Sequence, residues 1–297
     1  MNRGIISAAL AYFFWGLFPI YWKLLQHVPA VEILSHRMSW SLIFVLLLLA
    51  YQNHWNWVKP TAKQPRVLLT YLLSASLLAL NWGLYIWGVN AGFILETSLG
   101  YFINPLVSVV LGVFFLGETL RRGQWVAVAT ATTGVIYLTI QYGQLPWIAL
   151  TLAFSFGIYG YIRKTAALSS LEGLTLETAW LFLPAVGYLI YLELNGQAAF
   201  GHVDTTTTLL LALAGAVTAI PLLLFAQGAR LIPLSMIGIL QYMAPTIQFL
   251  LGVFVYGEKF GPDRLVGFSL VWAALAIYTA EGWQHRQHNK SNKAKPA

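Results

Sequence analysis

Four ionisable residues sit where an otherwise apolar chain would bury them: Glu32, His36, Arg37 and Glu96. Arg37 lies seven residues past Ala30 in an apolar run, roughly 10 Å into a helix that rises about 1.5 Å per residue. Glu32 stands one turn before His36 on the same helix face. Glu96 opens the next apolar run but one at a similar depth. Two chemistries suit these types. Arg37 and Glu96 are expected to face a shared cavity, paired directly or poised around a ligand. Glu96 and His36 are the groups most suited to proton coupling, since carboxyls and imidazoles answer most readily to burial and to neutral pH. The competing reading is a structural ion pair that fixes two helices and does nothing else.

Aromatic and amide side chains form the second set. Trp82 and Tyr85 are three apart and share a helix face with Asn81 nearby. Trp15 and Tyr101 also lie away from the ends of their runs. Such rings could stack on a flat or amphipathic solute, and packing against lipid or helices is the equal alternative. Asn104, Gln227, Gln241 and Gln248 are amides within apolar runs; they line a path or tie helices together. Candidate solute-binding residues are therefore Trp15, Arg37, Asn81, Trp82, Tyr85, Glu96, Tyr101, Asn104, Gln227 and Gln241. Pro105 and Pro245 each free a carbonyl one turn earlier, for a ligand, a neighbouring hydroxyl or simply a kink.

The elements that must hold these residues follow from composition. The 297 residues are 58% hydrophobic and 9% charged, against roughly 25% charged in soluble domains, so most of the surface must face lipid. Ten apolar spans are expected near 4–22, 30–51, 67–89, 92–116, 123–140, 145–162, 174–192, 207–228, 233–256 and 263–282, each long enough for about 30 Å of hydrocarbon. Most of the 17 Lys and Arg residues, Arg163 and Lys164 among them, fall in the even-numbered connections and at the two termini. Lys23, Lys259 and Arg264 fall on the other side. The bias places both termini in the cytoplasm. Glu177 is expected near the start of span seven, where negative charge suits the helix dipole.

Two stretches repeat at an offset of 140 residues: Pro105, Gly112-Val113-Phe114 and Gly117-Glu118 recur as Pro245, Gly252-Val253-Phe254 and Gly257-Glu258. A duplicated unit is implied. Residues 1–141 and 142–284 would be two five-helix halves, and 285–297 a basic cytoplasmic tail. Five being odd, the halves enter from opposite sides, an inverted repeat of the kind found in secondary transporters. Glu118 and Glu258 read as structural stops first and gates second.

With these residues in place the chain resembles the EamA family of the drug/metabolite transporter superfamily. The likeness rests on the repeated Pro…Gly-Val-Phe…Gly-Glu pattern. It rests also on Tyr12-Phe-Phe-Trp-Gly-Leu-Phe-Pro-Ile-Tyr21, Glu32-Ile-Leu-Ser-His-Arg37, Asn81-Trp-Gly-Leu-Tyr85, Glu96-Thr-Ser-Leu-Gly-Tyr-Phe-Ile-Asn-Pro105 and Ala219-Ile-Pro-Leu-Leu-Leu-Phe-Ala-Gln227. The resemblance implies a ten-helix permease of the bacterial inner membrane, a link to chloramphenicol sensitivity, and outward movement of amino acids or other metabolites.

The chain has no cysteine, hence no thiol nucleophile or Cys-ligated metal, and no phosphate loop, zinc-helix motif or nucleophile elbow. The expectation is an all-α integral membrane protein that exports small metabolites or amphipathic drugs by alternating access. It is expected to have no catalytic residue, metal or cofactor. Its partners would be the lipid bilayer and a small-molecule solute, with a homodimer as one option and nucleic acid not expected. An intramembrane enzyme on lipid-like substrates and a non-transporting scaffold are the alternatives.

Overall fold

The structure, a computed structural model, describes residues 2–91, 93–143, 145–257 and 262–293. Helix is the sole regular structure among them. The long helices are α1 (Asn2–Leu24), α2 (Ala30–Tyr51), α4 (Pro65–Asn90), α5 (Ile94–Leu116), α6 (Arg122–Tyr142), α7 (Trp147–Thr165), α8 (Ser170–Leu194), α9 (Thr205–Leu231) and α12 (Pro262–Lys293). A short α3 (Val58–Ala62) precedes α4. The remaining span is broken into α10 (Leu234–Gln241), α11 (Met243–Leu250) and a π-helical turn, Leu251–Val255.

Local chemistry sets the ends. Ser169 and Glu172 exchange backbone and side-chain hydrogen bonds to start α8, the reciprocal pattern that satisfies two orphan N–H groups. Asp204 accepts the Thr207 N–H to start α9. α5 stops at Gly117, whose φ of 64° is in the left-handed region that glycine enters without a steric penalty. The break at Tyr242 was not foreseen as a break. Pro245 has no N–H for the Gln241 carbonyl, and its ring crowds the preceding turn.

Among the described residues, eight spans are long and apolar enough to cross a membrane. α6 and α7 fall outside that set. Thr130, Thr132, Thr133 and Thr139 dilute the apolarity of α6, and Arg163 and Lys164 end α7. The outward surface agrees with a lipid setting: Phe114, Leu183 and Phe254 are 76%, 76% and 78% exposed, an arrangement water would penalise. The chain is a multi-pass membrane protein.

The two stretches 1–141 and 142–284 interleave. α1 packs on α9 and α7 on α4; α5 packs on α7 and α11 on α1; α2 packs on α9 and α8 on α4. Three further contacts join α2 with α8, α5 with α10 and α6 with α12. Close crossings depend on small residues. A side chain at Gly215 would collide with the Trp40 backbone where α2 meets α9, and one at Gly238 with the Pro105 carbonyl where α10 meets α5.

Candidate functional site

A cavity of about 400 Å³ lies at the centre of the bundle. It extends from Trp22 and Ala30, beside the α1–α2 connection, down to Tyr12. α4 contributes Asn81, Trp82 and Tyr85, α5 contributes Thr97, Tyr101 and Asn104, and α10 and α11 contribute Gln241, Pro245 and Gln248. The volume falls within the range of small-molecule pockets, and so does the mix of rings with a few polar groups.

Arg37 is the one charged side chain in this lining among the described residues. Its Nε–H donates to Thr218 Oγ1 on α9 at 3.0 Å. Its guanidinium carbon lies 4.2 Å from the Trp82 ring centre and 4.7 Å from that of Trp22, within cation–π range. Thr218 gave no signal in the sequence, since a threonine in an apolar helix usually bonds its own backbone.

The amides divide by role. Asn81 donates to the Leu152 carbonyl at 2.8 Å and to Ser155 Oγ at 3.0 Å, tying α4 to α7. Gln248 donates to the Trp15 carbonyl at 3.1 Å. That carbonyl sits four residues before Pro19, the position a helical proline leaves without its N–H partner. Asn104 Oδ1 and Gln241 Oε1 are buried and have no hydrogen-bond partner among the described residues. Tyr242 takes a carbonyl near Pro105, donating to Phe102 O at 3.1 Å.

Trp15, Arg37, Asn81, Trp82, Tyr85, Tyr101, Asn104 and Gln241 thus come together around one space. Three expected residues do not. Glu96 is 1% exposed and absent from the lining. Its Oε1 accepts the Ile148 N–H at 2.7 Å, so it caps the first turn of α7, where helix N–H groups lack partners. It forms no ion pair with Arg37 in the described set. His36 is buried against Phe200, ring centres 4.8 Å apart, and accepts from Trp40 Nε1 at 3.3 Å. Gln227 is on an exposed face and accepts from Ser7 Oγ at 3.1 Å. A solute in the cavity meets none of the three. Glu258 and Lys259 lie outside the described residues, as does the side chain of Arg264.

The inner end of the cavity is closed by rings. Tyr12, Trp15, Phe156, Tyr159 and Phe225 pack with centres between 5.4 and 6.2 Å apart. Beyond them lies a charge cluster that position alone would have assigned to a solvated helix end. Arg163 and Glu177 are 2% and 0% exposed and pair at 3.5 Å. Ser74 Oγ donates to Glu177 at 2.5 Å and Tyr159 O–H at 3.4 Å. Arg163 was expected in an even-numbered connection and Glu177 near the start of span seven. α8 begins at Ser170, earlier than the expected 174, which sets Glu177 a turn deeper.

The same end is latched by backbone contacts. Glu118 accepts from the Leu234 N–H at 2.6 Å, and from the Ser235 N–H and hydroxyl at 2.9 and 2.7 Å. Lys164 donates to the Ala229 and Ile232 carbonyls, and Arg230 to those of Ala166 and Leu168. The cations at the ends of α7 and α9 each cap the other helix.

A multi-pass helical bundle around a solute-sized cavity, closed at one end, is the build of a membrane transporter. The EamA-like transporter family model matches residues 2–140. The chain is 52% identical to the protein RarD of Streptomyces exfoliatus, over 94% of this chain and 88% of that one. It is 47% identical to the uncharacterized transporter YojE of Bacillus subtilis (strain 168), over 98% of each. The chain belongs to the EamA-like transporter family, as a RarD-type permease. A solved crystal structure superposes with a TM-score of 0.72 over 93% of this chain and 97% of that one. At 16% identity it speaks for the fold alone.

Proposed function

We propose that the chain is a ten-span secondary transporter of the bacterial inner membrane, built from two inverted five-helix halves and exporting small amphipathic solutes by alternating access. The observation that carries this reading is the central cavity, which is walled by helices of both halves and closed toward one end only by packed rings and caps. The contact pattern supports the inverted halves. Exchanging α1, α2, α4, α5 and α6 for α7, α8, α9, α10–α11 and α12 turns the contacts of α1 with α9, α2 with α9 and α5 with α7 into those of α7 with α4, α8 with α4 and α11 with α1. Lys and Arg placement supports a cytoplasmic position for the closed end, with Lys164 and Arg230. The cavity then opens to the periplasm. Transport would proceed by one half rocking against the other around the fixed site, opening the ring layer as the Trp22 end closes.

The test is solute movement by purified protein in sealed proteoliposomes, presented with a mixed pool of amino acids, nucleosides and aromatic drugs. One solute class should move with wild type and slow at least about fivefold with Trp82→Ala, since stacking on a ring is worth about 1 kcal/mol or more in a dry site. Movement untouched by Trp82→Ala and Tyr85→Ala would put the path elsewhere. No movement with folded protein would favour the scaffold reading.

A further inference from the structure

The cavity wall combines three features, none of which a general apolar pocket needs. The first is a guanidinium without a carboxylate: Arg37 is the one charged group in the lining among the described residues, and no ion pair engages it. The second is its orientation. Thr218 Oγ1 takes Nε–H at 3.0 Å, the Trp82 and Trp22 rings lie against the guanidinium, and among the described residues nothing accepts from its two terminal nitrogens. The third is a set of buried polar atoms in the wall with no hydrogen-bond partner among the described residues: the acceptors Asn104 Oδ1 and Gln241 Oε1, and the Tyr12 hydroxyl.

Buried charges need partners and buried acceptors need donors. In an open, wet cavity water meets the need of the guanidinium, while the two amide oxygens, shielded from water, still lack donors. Once the cavity is occluded, a bare guanidinium in low dielectric is strongly disfavoured. A solute that brings an anion to Arg37 and an N–H or O–H to the two amides removes both penalties together. The planar fork of Arg suits a carboxylate in bidentate geometry. Trp15, Tyr85 and Tyr101 flank the remaining space and suit a flat apolar body.

We infer that the transported solute is an organic anion with a flat apolar body, its carboxylate or like group held by the terminal nitrogens of Arg37, and that occlusion requires this anion. This rests on the cavity being the transport site. The anion requirement would keep the empty protein from occluding and hence from leaking. It also makes Arg37 a specificity-determining residue: neutral and cationic analogues of the same shape would leave the guanidinium unpaired.

The test uses the full-length protein in detergent, titrated by calorimetry with three probes of one shape: 2-naphthoate, 2-naphthamide and 2-naphthylmethylammonium. Wild type should bind the naphthoate roughly tenfold or more tighter than either analogue, the scale of one charge-assisted hydrogen bond. Arg37→Gln should abolish that preference by weakening naphthoate alone. Arg37→Lys should keep the preference with weaker binding. Monodisperse elution and a cooperative melt of each variant establish that it is folded. Equal or tighter binding of the amide or the ammonium by wild type would overturn the proposal. So would an anion preference that survives in Arg37→Gln, or no naphthoate binding by folded wild type. Proteoliposomes separate this from the broader reading: uptake of neutral solutes through the Trp82-lined cavity would leave the transporter standing and sink the anion requirement.

Discussion

The chain has ten acidic residues, and the deeply placed ones are spent on other segments. Glu96 caps α7, Glu118 caps α10 and Glu32 accepts the Ala199 N–H at 2.7 Å. Membrane depth alone marked Glu96 as functional, because a charge there is expensive. The structure meets that expense with the Ile148 N–H at the start of α7 instead of Arg37. Sequence could show that Glu96 needs a partner, but not which of several it would find, since the choice depends on how α5 is rotated against α7. Arg37 was legible as a cavity residue because a charge suits no lipid-facing surface, whereas the shared face of Trp82 and Tyr85 could equally have met lipid or another helix. The Arg163–Glu177 pair was not, because charges at span ends ordinarily reach water. Its burial makes a definite prediction. Glu177→Leu, which strands Arg163 in the core, should lower unfolding stability by about 3–5 kcal/mol. The double variant Arg163→Met/Glu177→Leu should recover most of that in a detergent melt. Equal losses in both would mean the site is hydrated rather than buried.

At the scale of elements, the helix interruptions are informative. Pro19 and Pro245 stand where α1 meets α11, and both lie on the cavity wall. Gln248 supplies the hydrogen bond that Pro19 withholds from Trp15. Most span bounds were readable to within a few residues from apolar run length, but the last helix runs on from the expected 282 to Lys293. The division of the ninth into α10 and α11 was not, since a single proline is compatible with a kink or a break until neighbouring side chains decide. The Gly-Glu ending of α5 was readable as a stop. That Glu118 also starts α10 could not be read, because the two segments are 116 residues apart. Glu118→Ala leaves the Leu234 and Ser235 N–H groups without their acceptor, and should cost about 0.5–2 kcal/mol, the usual range for losing a helix N-cap. If the closed end is a latch, the same variant should also speed solute movement. A stability loss with unchanged transport would assign Glu118 to structure alone.

At the scale of the molecule, the aromatic layer around Phe225 separates the cavity from the end where Lys164 and Arg230 cross-cap α7 and α9. Access from one side at a time is what distinguishes a transporter from a channel, and the absence of cysteine throughout the chain makes it directly measurable. Single-cysteine variants Leu34→Cys, on the cavity wall, and Phe225→Cys, in the closing layer, can be treated with a membrane-impermeant maleimide from either side of oriented vesicles. The account predicts that Leu34→Cys is modified from the periplasmic side alone while Phe225→Cys is protected, and that a transported solute raises modification of Phe225→Cys from the cytoplasmic side while lowering that of Leu34→Cys from outside. Modification of Leu34→Cys from both sides at once, or no response of either position to a solute that moves, would contradict alternating access through this cavity.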